Sequence, residues 1–395
     1  MANFPIRAPS LALPVAAAPM LCDDVPLTAI APEAWDALVP GQPLLSFAFL
    51  AALHETGCAS RASGWQPRYL TAWRGGELAG ALPLYAKSHS YGEYVFDWGW
   101  ADAYRRYGRR YYPKLVAAIP FTPVTGPRLL AADPVARRTL LDGALARVAD
   151  GTHSSLHVLF PDAAQAAECE AAGMIARRGL QFHWRNPGYG DFADFLAAFT
   201  HDKRKKIKQD RRRLAEAGVS FARKTAGEIT VADWAFFFRC YAGTYAAHHS
   251  TPYLTLPFFE RLSVALPDNV LLVIGSRAGA PVCAALDIHT DETLWGRYWG
   301  AVEYIPGLHF EACYYQAIEF CIERRIATFE GGAQGLHKLA RGLTPVTTYS
   351  AHAIGDAEFG AAIEDFCARE RVDVAHTLDE LEGATPFKEG LGARG

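Results

Sequence analysis

The segment Arg297 to Arg341, RYWGAVEYIPGLHFEACYYQAIEFCIERRIATFEGGAQGLHKLAR, restricts the fold of this chain more than any other. Phe310, Cys313, Tyr314, Ala317, Ile318, Cys321 and Ile322 fall at i, i+3, i+4 and i+7, the spacing of a helix with one buried stripe. Arg297 to Ala301 before it and Ala327 to Phe329 after it read as strands. Glu330 then opens a loop dense in polar and cationic groups. Strand, turn, helix, strand is the crossover unit of an α/β fold, and chemistry in such folds gathers in loops at strand ends. The stripe is expected to be core. Function belongs to the loops at its two ends.

A wider pattern occurs twice. Tyr69 to Lys87 and Val270 to His289 each read as two strands around a turn, Gly75-Gly76 in the first and Arg277-Ala278-Gly279 in the second. A helical region precedes each: Leu44 to Leu53, then Trp234 to Tyr245 with Phe258 to Leu266. An aromatic strand follows each, around Tyr94 to Trp100 and Leu294 to Trp299. This order suggests a duplicated α/β unit, and 395 residues suit two domains better than one core. Between the halves, Asp133 to Ala149 and Ala163 to Ala172 are expected as helices, with Leu156 to Phe160 and Arg178 to Arg185 as strands. Asp191 to Gly218 is expected as one long helix. Its stretch Lys203 to Arg213 holds eight cations and one acid. Such a run is either a solvated face or a docking surface for a phosphate-bearing ligand.

Composition narrows the class. Half the chain is apolar, a fifth is charged, and the net charge is −3, which argues against a general coat for nucleic acid. The eight cysteines form no CxxC pair, and several fall in apolar stripes, so reduced buried thiols are expected and no metal site. No apolar run is long enough for a transmembrane segment. Residues 1–25 are expected to be a disordered leader, and the protein to be cytoplasmic.

Several long blocks resemble the FemAB-like predicted N-acyltransferases. They are DWGWADAYRRYG (Asp97 to Gly108), YYPKL (Tyr111 to Leu115), PFTPVTGPRLL (Pro120 to Leu130) and PYLT (Pro252 to Thr255), with LHFEACYYQAIEFCI (Leu308 to Ile322), EGGAQGLHKLARG (Glu330 to Gly342) and TYSAH (Thr348 to His352). The resemblance runs from roughly Leu44 to Ala375. It implies an α/β fold of tandem GNAT-like (acyl-CoA N-acyltransferase-like) domains with mixed sheets, one over 26–190 and one, with a linker helix, over 191–395. It also implies acyl or aminoacyl transfer to an amine, on a small-molecule or peptide acceptor such as a cell-wall precursor. The donor would be acyl-CoA or aminoacyl-tRNA used as co-substrate, with tRNA as a partner in the second case and no tightly bound cofactor. A recognition module for peptidoglycan precursors, without catalysis, is the alternative. The chain departs from the family at Leu336, where an acid is frequent, and at Leu343 and Ala353, where aromatic residues are usual.

Direct transfer to an amine requires loss of an acceptor proton, a polarised donor carbonyl and close contact between the two. In a GNAT-like fold, as the resemblance implies, two parallel strands splay and a free backbone N–H of one holds that carbonyl; here the strand would be Arg297 to Ala301. Four residues are candidate bases. His309 and Glu311 follow Pro306-Gly307 at a helix start, where free N–H groups also suit an anion, although Glu311 could simply complement the helix dipole. Glu330 sits at a strand end beside Gly331, Gly332 and Gly335, and His337 follows on the same loop. Arg297, Gln334, Lys338 and Arg341 are candidate substrate-binding residues, the last two for a phosphate or carboxylate. In the first half Trp98, Trp100, Tyr104, Tyr111 and Tyr112 interleave with Asp102, Lys114 and Arg128. They read as an aromatic, charged wall for a ligand or as a packing surface between domains.

Overall fold

The computed structural model describes residues 18–333, 335–383 and 385–388, without the side chains of residues 333 and 382. Strand β1 (Met20–Cys22) leads into helices α1 (Pro32–Asp36) and α2 (Phe47–Glu55). Strands β2 (Trp65–Pro67), β3 (Leu70–Arg74), β4 (Glu77–Leu82) and β5 (Leu84–Lys87) follow, then α3 (Trp98–Arg106), β6 (Lys114–Ala117), α4 (Pro134–Ala149), β7 (Ser155–Leu159), α5 (Ala163–Ala171) and β8 (Ile175–Arg185). The remainder begins with α6 (Phe192–Ala198), α7 (His201–Glu216), β9 (Val219–Thr225), α8 (Val231–Ala247) and α9 (Leu256–Ala265). It continues with β10 (Val270–Arg277), β11 (Ala280–His289) and β12 (Thr293–Ala301). A helix then runs as α10 (Leu308–Phe310), a wider π segment (Glu311–Tyr315) and α11 (Gln316–Arg324). Strand β13 (Thr328–Ala333), a tight helical turn (Leu336–Arg341), β14 (Thr344–Ile354) and α12 (Ala357–Glu382) complete the described chain.

Eleven strands make one sheet in the order β2-β5-β6-β7-β14-β8-β13-β12-β11-β10-β9, and β1-β3-β4 make a small one. Two of the described pairs are parallel, β6 with β7 and β12 with β13. A helical crossover joins each, α4 in the first case and α10 to α11 in the second. Each is preceded by an antiparallel hairpin, β3–β4 or β10–β11. The repeated order is therefore real, and the fold is the tandem GNAT-like α/β arrangement. The halves differ at Pro83, which has no N–H to give to a ladder. There the first hairpin peels away: β4 stays in the small sheet, while β5 pairs with β6 in the large one. The halves also exchange strands. β8 lies between β14 and β13, and β14 lies between β7 and β8.

Local chemistry explains the elements and the places where the sequence expectations fail. β10 carries Val270, Leu271, Leu272, Val273 and Ile274, all buried, as suits a strand covered on both faces. α2 starts at Phe47 because Ser46 Oγ accepts from Phe49 N at 3.3 Å. The aromatic strand expected around Tyr94 is instead a loop leading into α3. Tyr94 is left-handed (φ 61), and Glu93 and Asp97 turn inward to meet the buried Lys114 ammonium. The single helix expected over Asp191 to Gly218 is broken at Phe199 and Thr200, where Phe199 leaves helical geometry and packs its ring on Phe195 and Phe387. Glu330 lies inside β13 and not at its end, because Thr328 to Glu330 pair with both β12 and β8. Of the expected leader, residues 1–17 lie outside the described residues; Met20–Cys22 is a strand on β3 and corrects the remainder.

Candidate active site

β12 and β13 pair at Thr293↔Thr328, Leu294↔Phe329 and Trp295↔Glu330, then part. β12 follows β11 as far as Ala301, while β13 shifts register along β8 and pairs next at Ala333↔Gln181. Two glycines permit the divergence. Gly332 has φ 78, and a Cβ on Gly331 would stand 2.6 Å from Leu343 Cδ2. The wedge opens into a cleft of about 430 Å³. Its second-half walls come from β11 (Ala285 to Asp287), β12 (Gly296 to Trp299), the helix (His309, Cys313, Tyr314) and the turn after β13 (His337, Lys338). The opposite wall is the first-half loop with Ser90, Tyr91, Tyr94, Phe96 and Trp98, together with Tyr253.

The corresponding wedge of the first half is closed. β6 and β7 pair from Leu115↔Leu156 to Ala117↔Val158, and the chain beyond β6 returns to the end of β7, where Gly126 N donates to Phe160 O at 3.1 Å. The buried Arg128 guanidinium donates there to the carbonyls of Leu159, Gly126, Pro127 and Val124. Arg128 fills that wedge and lines no part of the cleft.

The structure brings five of the expected residues together at the cleft: Trp98, Arg297, His309, His337 and Lys338. Arg297 donates to Phe121 O at 2.7 Å and Thr122 Oγ1 at 3.1 Å, tying β12 to the first half. The His309 ring stands 4.5 Å from that of Trp299; burial, then His337 and nearby cations, lowers its pKa to about 4. It is therefore neutral near pH 7. His337 Nε2 lies 3.3 Å from the Tyr314 hydroxyl. Lys338 Nζ donates to Gly332 O at 2.8 Å, and burial lowers its pKa to about 8.

The other candidates sit elsewhere. Glu311 is clamped by Arg211, at 2.9 to 3.1 Å, and by Gln316 at 2.8 Å. Glu330 is outside the cleft wall, with Oε2 3.9 Å from His183 Nε2; burial pushes its pKa up to about 7. Arg341 lies 3.5 Å above the Phe310 ring and donates to His337 O. Trp100 and Tyr104 pack against His352 and Phe359, so these two meet β14 and α12 as a packing surface, whereas Trp98 lines the cleft. Asp102 pairs with Arg105 and Arg106 on the same helix. Tyr112 and Lys114 reach the cleft only through Ser90, which both contact. Gln334 lies outside the described residues.

The sequence reading passed over Asp287. It is 2 % exposed, lines the cleft, and its Oδ2 has no hydrogen-bond partner among the described residues. Burial alone pushes its carboxyl well above the usual range. The available signal was a single acid in the otherwise apolar strand VCAALDIH. Cys313 and Tyr314, within the π segment, belong to the stripe expected as core and also line the cleft.

The chain matches the model of the FemAB-like family, described as peptidoglycan biosynthesis/recognition, over residues 26–389. No curated protein matches its sequence. Among solved structures it is similar to FemX, at 13% identity over 85% of this chain and 98% of that one, with a TM-score of 0.52. A conserved protein of unknown function from Bacteroides thetaiotaomicron VPI-5482 is similar at 12% identity over 84% and 98%, with a TM-score of 0.50. A tandem GNAT protein from the clavulanic acid biosynthesis pathway is matched more loosely, at 13% identity over 82% and 92%, with a TM-score of 0.43. At such identities the likeness to FemX and the Bacteroides protein is one of fold.

Proposed function

We propose, on the premise that this chain belongs to the FemAB-like family, that it is an N-acyltransferase acting in the cytoplasm on an amine of a peptidoglycan precursor. The observation that carries the reading is the open wedge between β12 and β13, beside a cleft lined by both halves. In this reading the donor carbonyl enters the wedge, where backbone groups of β12 turned away from β11 are free to polarise it. The acceptor lies against the wall of Tyr91, Tyr94 and Trp98, and its nitrogen attacks the carbonyl directly. Holding the two in contact supplies much of the rate without a covalent enzyme intermediate. The donor is a co-substrate, an acyl-CoA or an aminoacyl-tRNA. Acceptor-dependent release of free CoA or deacylated tRNA, measured with peptidoglycan-precursor amines, tests the proposal. Binding of those precursors with no release from either donor would reject transfer and leave recognition.

A further inference from the structure

We infer that Asp287 is the ammonium-binding and proton-accepting residue of the cleft, so that the acceptor is a primary alkylamine bound in its charged form. This rests on the transferase reading for the chemistry, while the binding stands on geometry alone.

A buried carboxylate without a partner is costly, and native proteins rarely retain one. Asp287 is such a group: nearly inaccessible, on an interior strand, with Oδ2 unmet among the described residues. Its neighbours define what can reach it. Its Cα partner across the ladder is Gly296, where a Cβ would stand 3.6 Å from Asp287 Oδ1 and 3.2 Å from the Phe329 ring. Glycine thus keeps the floor of the cleft open beside the carboxyl. The surrounding wall is largely aromatic, with Tyr298, Trp299, Tyr314 and Phe329 on the same cleft. Arg297 and Lys338 also line the cleft but donate to Phe121 O and Gly332 O, so the carboxyl and the aromatic faces are the groups there that favour a cation. An alkylammonium supplies both the charge and the donors that Asp287 lacks.

The step balances as follows. The bound ammonium gives one proton to the Asp287 carboxylate, and the freed lone pair forms a C–N bond with the carbonyl carbon of an acyl thioester or ester. The C–S or C–O bond breaks, and the leaving group departs with the electron pair. It then takes the proton shed by the new amide nitrogen. Asp287 keeps that proton until the next ammonium enters, when the proton passes to solvent and the carboxylate forms again.

Binding of n-hexylammonium chloride and of 1-hexanol to the full chain, by calorimetry without donor, separates charge recognition from apolar fit. The ammonium should bind the wild type at least about tenfold more tightly than Asp287→Asn, the worth of one hydrogen bond to a charged group. The hexanol affinity should be the same in both. Equal ammonium affinity in the two proteins overturns the assignment. Should the variant fail to fold, the wild type decides, because equal affinity for ammonium and alcohol overturns it as well. With donor present, Asp287→Asn should lower kcat by about 10²- to 10⁴-fold, the usual worth of a general base. Asp287-dependent ammonium binding without any transfer would uphold the site and reject the transferase reading.

Discussion

Glu330 shows how far a residue's role depends on what surrounds it. Its place beside three glycines suggested a carboxylate free to meet a ligand, whereas in the fold it is partly buried between β12 and β8, with a pKa of about 7 against the ordinary 4.5. A carboxyl whose folded pKa is raised is penalised when ionised. Stability therefore falls as pH rises from about 4.5 to about 7 and stays lower above that. Glu330→Gln removes the penalty. Relative to wild type, the variant should gain roughly 1–3 kcal/mol between pH 5 and pH 8, read from urea midpoints at the two values. A difference independent of pH would refute this. Asp287 is the converse case. A lone acid in an apolar strand was visible in the sequence, but its lack of a partner was not, since the groups that might have satisfied it lie on other elements.

Among the elements, periodicity identified α8, α9 and the α10–α11 crossover, because their apolar stripes face a sheet. It could not give the distance between them. α8 packs so closely on β12 that a Cβ at Gly300 would stand 2.1 Å from Cys240 O. Since backbone cannot yield as a side chain does, Gly300→Ala should destabilise by about 1–3 kcal/mol or more, seen as a lower urea midpoint at unchanged slope. The basic helix α7 divides by face. Ile207, Leu214 and Arg211, the last paired with Glu311 and Glu319, hold it to the core. Lys203, Lys205, Lys208 and Arg212 are exposed. Replacing Lys203, Arg204, Lys205 and Lys206 by Gln should shift Tm by no more than about 2 °C, because exposed charges contribute little to stability. If the donor is aminoacyl-tRNA, the same variant should bind it more weakly and with a shallower dependence on salt. Unchanged affinity and slope would make the stripe a solvated face.

At the scale of the whole molecule, the two units we propose, 26–190 and 191–395, each contribute a strand to the other's part of one sheet. β14 stands between β7 and β8, and β8 between β14 and β13, so neither unit can complete its ladder alone. Unfolding by urea should accordingly be a single transition by tryptophan fluorescence and by far-UV circular dichroism. A chain ending before Thr344 should be insoluble, because the edges of β7 and β8 are left without their shared neighbour. Two separate transitions in the intact chain would contradict this. The sequence by itself determined the α/β class, the duplicated order and the crossover around Leu308 to Ile322, because these follow from periods and turns within a few residues of each other. It also brought out His309, His337, Lys338 and Arg297, which line the cleft because they sit on or beside that crossover. Which wedge is open, which carboxylate lies in it and which strands change places were decided only by the tertiary structure. Arg128 reaches Leu159, the cleft around Asp287 takes its walls from both halves, and β14 pairs with β7 and β8, so no local pattern records these contacts.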